Sequence, residues 1–182
     1  QRQAMAGDRF SPSRRAGGSW GRRDLWRKGA GSGMEVVKKS FDQLTVRELF
    51  QIYRLRTAVF VVEQHCPYQE VDDADLSACH ILLREGGELA AYLRLLPGAA
   101  PGEAVIGRVV AARRRAGLGS RVLAEGIRAA REQGAAFITL AAQVYVRGLY
   151  QKAGFRAVSA EFLEDGIPHV KMRLELSPQS TG

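Results

Sequence analysis

Three arginines stand against a Gly-x-Gly in the stretch RRRAGLGS, Arg113 to Ser120, between an apolar run and a segment with helical periodicity. Those residue types have a definite chemistry at such a place. A helix N-terminus leaves N–H groups unpaired and carries partial positive charge. Glycine lets the backbone approach an anion with no Cβ in the way, and a guanidinium presents a fork of donors that suits phosphate oxygens. Together they make a phosphate site that needs no metal. Two familiar phosphate motifs are excluded: no GxxxxGK[ST] string occurs, and after Gly117 and Gly119 a GxGxxG fingerprint would need glycine where Val122 stands. From these residues alone, a phosphate site and a glycine-rich turn with solvated arginines both stand.

The elements around the loop must hold it. AVIGRVVA precedes it as a strand. In the helix that follows, Leu118, Val122, Leu123, Ile127 and Ala130 share one side, and Arg121, Glu125, Arg128 and Glu132 another. Gly126 falls on the apolar side, where a missing side chain allows close approach to a sheet, and Gly134 is the stop signal. AAFITLAA then reads as a strand buried on both faces. Upstream, Val36 to Phe41 form a first strand. A helix opens after it with Thr45 and Glu48 at capping-box spacing and Leu44 and Leu49 as a staple. His80–Arg84 and Leu89–Leu96 flank EGGE as a hairpin.

Downstream, a short helix spans about Val144 to Ala153, and Phe155–Ala160 and Ile167–Leu176 are strands. In the last, Val170, Met172, Leu174 and Leu176 alternate with His169, Lys171, Arg173 and Glu175, which predicts one buried and one wet face. The polar link CPYQEVDDADL, with Glu70, Asp72, Asp73 and Asp75, reads as a solvated turn. The order of elements predicts an α/β fold (α+β in some schemes), a mixed sheet with helices on both faces.

Composition limits the partners. The chain of 182 residues suits one domain, and its 46% apolar and 25% charged residues are those of a soluble globular protein. An apolar run such as Ala135–Ala142 is far too short to span a membrane. Cys66 and Cys79 lie in no CxxC pattern, and the lone His65, His80 and His169 read as structural. The expectation is therefore no metal, and two free thiols in a reducing, cytoplasmic setting. Residues 1–33 carry eight Arg/Lys against Asp8 and Asp24, a net of +6, whereas the remainder carries 19 basic and 17 acidic residues, a net of +2. The basicity sits in the leader, which argues against nucleic acid as a partner of the domain. Rich in Gly, Ser and Arg, the leader is expected to be disordered, an extension ahead of a start at Met34. A domain over 34–177 and a short tail over 178–182 complete the expected organisation.

The string R-x-x-G-x-G at Arg114–Gly119, between a buried strand and an amphipathic helix, resembles the acyl-coenzyme A loop of the GNAT superfamily of N-acetyltransferases. Four ordered blocks, RLRTAVFVVEQHCPYQEVD, IGRVV, GLYQKAGF and FLEDGIPHVKM, resemble the ElaA-like branch of that superfamily over about Met34 to Glu175. Arg115 stands where glycine is common in this loop, and Asp73-Ala74 replaces a more usual Asp-Gly.

The resemblance implies a mostly antiparallel sheet, splayed between two central parallel strands that map to GRVVA and FITLAA. It implies acetyl-coenzyme A as cosubstrate, with no metal. Backbone groups of Val109, Val110 and Ala111 would pair with pantetheine and the thioester carbonyl, and an N–H aimed at that carbonyl would stabilise developing negative charge. The pyrophosphate would rest on amides of Arg115, Ala116, Gly117, Leu118, Gly119 and Ser120, with Arg114 beside it.

Tyr150 matches the general acid of the family, although Val146, Leu149, Tyr150 and Ala153 also form a helical stripe of the kind that packs a core. Glu63, His65, Glu164 and His169 lie in the matching blocks as candidates for the base, with Glu63 and His169 put forward as catalytic. The implied reaction is direct transfer of an acetyl group to a primary amine of a small molecule or peptide in a ternary complex. The alternative is a module that binds acyl-coenzyme A without turnover. A homodimer is compatible with either.

Overall fold

Capping chemistry and strand alternation account for most of the elements in the computed structural model, which describes residues 33–176. The expectations for the leader and the tail lie outside the described residues. Strand β1 (Met34–Ser40) leads into α1 (Val46–Arg56), whose first turn is closed by the expected capping box. The Thr45 N–H donates to the Glu48 carboxylate at 2.8 Å, and the Glu48 N–H to the Thr45 hydroxyl at 3.2 Å. The helix then widens into a π-helical segment, Thr57–Glu63. Strands β2 (Cys79–Glu85) and β3 (Glu88–Pro97) form the predicted hairpin, turning on Gly86 and Gly87, both at positive φ.

Strand β4 (Glu103–Ala111), helix α3 (Leu118–Glu132) and strand β5 (Phe137–Gln143) make the one parallel crossover among the described residues. Helix α4 (Arg147–Lys152) and strands β6 (Arg156–Ala157), β7 (Phe162–Glu164) and β8 (Ile167–Glu175) complete the fold. The sheet runs β1-β2-β3-β4-β5-β8-β6, with β7 on β8, and each of these pairings except β4–β5 is antiparallel.

Both faces are covered. Helix α1 packs through Ile52 on Leu82, Tyr92 and Val110, while α3 packs Leu118, Val122 and Leu123 against Leu93, Ile106 and Ile138 on the other face. Gly126 is what lets α3 lie close: a Cβ there would come within 2.8 Å of Leu93 Cδ2 and 3.2 Å of Ile106 Cδ1.

Two irregularities open the middle of the sheet. Strands β4 and β5 pair only from Glu103/Phe137 to Val105/Thr139 and then part. Just past that point, β4 carries an extra residue relative to β3, between the pairs Arg94–Gly107 and Tyr92–Val110, with Arg108 at φ 56°. This is a bulge, which bends the strand and re-aims its side chains.

Three expectations need correction. Only Arg156–Ala157 of the predicted strand Phe155–Ala160 pairs as one, and β7, not foreseen, folds back on β8 through Asp165 and Gly166, both at positive φ. Because the Phe162 ring of β7 stacks on His169 at 6.0 Å, that histidine is 8% exposed and not on a wet face. The acidic link is not a solvated turn either. It includes a short helix, α2 (Ala74–Ser77), and buries Glu70 and Asp75 almost completely.

Candidate active site

Where β4 and β5 part, the sheet opens into a cavity of about 430 Å³. Its walls come from the β4 bulge (Gly107, Arg108, Val109), from β5 (Leu140, Ala141, Gln143), from Tyr150 of α4, and from the β7–β8 hairpin (Glu164, Asp165, His169).

The register of β4 decides which backbone groups face the opening. The Ala112 N–H donates to the Ala90 carbonyl at 2.8 Å, and Val110 sits opposite Tyr92. Polar groups alternate along a strand, so Val110 turns its own toward β3, while Val109 and Ala111 direct theirs to the side from which β5 has departed. Of the three residues expected to pair with pantetheine, two present edges that are free among the described residues and Val110 does not.

Beyond Ala111 the chain bends through the arginine loop into α3. Arg115 and Gly117 both adopt positive φ, 57° and 70°, and no atom of the described residues lies within 4 Å of where a Cβ on Gly117 would be. The first backbone bond of α3 is Arg121 N–H to the Gly117 carbonyl at 3.1 Å, so the amides of Leu118, Gly119 and Ser120 precede it. Leu118 is buried as an anchor, whereas Arg113 to Gly117 and Ser120 are exposed. The loop arginines are held loosely: Arg113 pairs with Glu85, and Arg114 with Glu63 at 2.8 Å, both on the surface. Glu63 therefore meets the loop and is not among the residues that line the cavity. His65, exposed at φ 51°, is not among them either.

Tyr150 and His169 do meet in the cavity wall. Tyr150 is 7% exposed, packs edge-on against Phe155, and has no hydrogen-bond partner for its hydroxyl among the described residues. Burial, helped by the neighbouring Tyr145, pushes its phenol up to about 12. The His169 Nδ1 lies 2.7 Å from the Ile167 carbonyl. A carbonyl only accepts, so Nδ1 carries the proton and the neutral ring keeps its lone pair on Nε2. That nitrogen stands 3.6 Å from the Glu164 carboxylate.

Behind this wall lies a set of residues that sequence reasoning missed. Arg56, fully buried, donates to Glu70 and Asp75, each at 2.8 Å. Arg94 donates to Asp75 at 2.8 Å and grips both oxygens of Asp72, at 2.5 and 2.9 Å. Arg108 reaches the Glu70 carbonyl at 3.1 Å and Asp72 at 3.2 Å, and lies over the Tyr68 ring. Burial alone would raise the Asp75 carboxyl, but hydrogen bonds from Arg56 and Arg94 outweigh it and hold the group below its ordinary range. The hydrogen bond from Arg94 does the same for Asp72. His80, buried between the Tyr92 hydroxyl and the Asp75 carbonyl, is held below its usual value by desolvation. One signal was available: Arg94 interrupts the apolar strand ELAAYLRLLP, and a charge in such a run needs a partner.

A parallel pair that parts beside a glycine-bent helix N-terminus, leaving strand edges free, is the arrangement that the resemblance to acyl-coenzyme A-dependent transferases implies. Comparison with known proteins agrees. Residues 42–176 match the model of the acetyltransferase (GNAT) domain. A solved acyl-CoA N-acyltransferase from Pseudomonas aeruginosa is 43% identical, covering 78% of this chain and 99% of that one, with a TM-score of 0.71. The structure of Escherichia coli ElaA is 35% identical, covering 79% and 100%, with a TM-score of 0.73. A Schizosaccharomyces pombe relative is 45% identical over 150 residues, 80% of this chain and 99% of the relative. The chain belongs to the GNAT acetyltransferase family, in its ElaA-like branch.

Proposed function

We propose that the protein moves an acetyl group from acetyl-coenzyme A to a primary amine by direct attack in a ternary complex. The observation that carries this reading is the Tyr150 hydroxyl, without a hydrogen-bond partner among the described residues, in the wall of the gap that Val109 and Ala111 leave open. A hydroxyl that opens onto a cavity is free to donate to a molecule bound there.

The residues fit the cosubstrate. The free edges of Val109 and Ala111 would bind an extended chain as an added strand, and the amides of Leu118, Gly119 and Ser120, with Arg114, would hold the phosphates. Bound there, acetyl-coenzyme A supplies an activated acyl group and a thiolate leaving group. An N–H from the open edge of β4 stabilises charge that builds on the carbonyl oxygen.

Tyr150 helps the sulfur leave by hydrogen bonding. With its phenol near 12 and a thiol near 8.5, outright proton transfer would run uphill by about 5 kcal/mol. His169 takes the proton of the amine on Nε2, the atom that its bond to Ile167 leaves free, with Glu164 stabilising the charged ring. An alkyl amine of pKa about 10.4 costs roughly 4.6 kcal/mol to deprotonate at pH 7, so a base at this point matters.

Thiol release from acetyl-coenzyme A, measured over a panel of amines, tests the reading. Tyr150→Phe is expected to lower kcat about 100-fold with little change in KM for the cosubstrate. Unchanged turnover in that variant would remove Tyr150 from the mechanism. Cosubstrate binding with no turnover on any amine would make this a binding module.

A further inference from the structure

The identity of the acceptor is open within that reading, and the charges around the cavity narrow it. Five charged side chains line the cavity: Asp72, Arg94, Arg108, Glu164 and Asp165. Both arginines are already taken. Arg94 is held by Asp72 and Asp75, and Arg108 by Glu70 and Asp72, while Arg56 behind them completes a set of three arginines and three carboxylates. An acceptor carboxylate would meet arginines whose charge these three carboxylates already balance.

Glu164 and Asp165, at the tip of the β7–β8 hairpin, have no such counterpart. Among the described residues, Glu164 meets only His169, at 3.6 Å, and the Asp165 carboxylate meets no lysine or arginine. Their positions are fixed rather than adventitious: Asp165 occupies a left-handed turn position, and its carbonyl accepts the Cys66 thiol at 3.4 Å, which ties the hairpin to the loop after the π-helical segment. Two polar atoms of largely buried side chains open onto the same space. The Tyr150 hydroxyl and His169 Nε2 belong to residues more than nine-tenths buried, line the same cavity, and have no hydrogen-bond partner among the described residues.

We infer that the acceptor is a dication, an aliphatic amine carrying a second cationic nitrogen, and that Glu164 and Asp165 hold that second charge while the first nitrogen, neutral, is acylated. This rests on the amine-acetylating reading above. The division of labour is chemically consistent. The nitrogen that attacks must lose its proton, to His169, whereas the one that is recognised must keep its own. A carboxylate pair near the rim stabilises the retained charge.

Three acceptors of matched length test it: 1,4-diaminobutane, 1-aminobutane, and 4-aminobutanoate, in which a carboxylate replaces the second amine. The expected order of kcat/KM is diamine, then monoamine, then amino acid, with the diamine at least 10-fold above the monoamine and the advantage shrinking as salt rises. Asp165→Asn preserves the turn, because asparagine tolerates positive φ, and Glu164→Gln keeps the side-chain shape. In each, the diamine-to-monoamine ratio is expected to fall severalfold, and in the double variant toward one. A ratio near one in the wild type, or a ratio unmoved in the double variant, overturns the inference. If no amine releases thiol, the proposed function fails, and calorimetry with 1,4-diaminobutane on enzyme saturated with coenzyme A then decides the inference separately. Heat in the wild type that is lost in the double variant supports a dication site, and no heat in the wild type overturns it.

Discussion

The two ends of the cavity are built on opposite principles. At the cosubstrate end, the arginines Arg113 and Arg114 are exposed and each meets one surface carboxylate. On the proposed function, binding there would come from backbone geometry: a left-handed glycine, a helix N-terminus and a strand edge without a neighbour among the described residues. At the acceptor end, Arg56, Arg94 and Arg108 are wholly or largely buried and interlocked with Glu70, Asp72 and Asp75. On the proposed function, arginine is thus a receptor for a diffusible anion in one place and a structural strut in the other. What separates the two roles is desolvation. A guanidinium in water remains available to a phosphate, while one taken out of water must bring its own counter-charges.

The largest expected effect comes from setting the same residue type against itself across this divide. Arg56→Met leaves Glu70 and Asp75 buried without their shared cation and is expected to cost about 3–5 kcal/mol in unfolding free energy. Arg114→Ala, on the surface, should move stability by less than about 0.5 kcal/mol and instead raise KM for acetyl-coenzyme A. Equal stability losses in urea titrations of the two variants would break the comparison.

Acid should expose the same asymmetry. Asp72 and Asp75 titrate below their unfolded values, so their contribution is present above about pH 4 and is lost as pH falls through the lower folded values. His80 is also depressed, but as a base. Below the unfolded value of about 6.5 the unfolded chain binds a proton that the buried ring does not, so stability already declines from there. A two-stage acid loss in the wild type, the first stage absent in a stable His80 variant, is the expected result. Stability flat between pH 7 and 5 would remove His80 from the account.

This contrast explains how much was readable in advance. Capping box, hairpin glycines, the apolar stripe of α3 and the arginine-glycine loop are local patterns, set by residues a few positions apart. The order of elements along the chain and the loop's place between a strand and a helix followed from them. The acceptor end was opaque because Arg56, Glu70, Asp75, Arg94 and Arg108 come from α1, the acidic link, β3 and β4, and only tertiary packing brings them together. Four carboxylates in six residues look solvated until the cations that bury them are known. Strand β7 escaped for a similar reason: three exposed residues acquire strand geometry only through β8.

Glu63 gives the finest test, because it lies between the two readings. It stands in a matching block as a candidate base, yet the structure joins it to Arg114 at 2.8 Å on the surface. If it belongs to the loop, it competes with phosphate for that guanidinium. An exposed pair of this kind contributes about 0–1 kcal/mol, so Glu63→Gln should lower KM for acetyl-coenzyme A by a factor of about two to five and leave kcat close to its starting value. The gain should fade at high salt, since both competing interactions are screened. If Glu63 were the base, the same variant would instead lose about 100-fold or more in kcat, and the two signs cannot be confused. Steady-state kinetics of that single variant at two salt concentrations therefore settles whether the carboxylate paired with Arg114 guards the cosubstrate's entry or takes part in proton transfer.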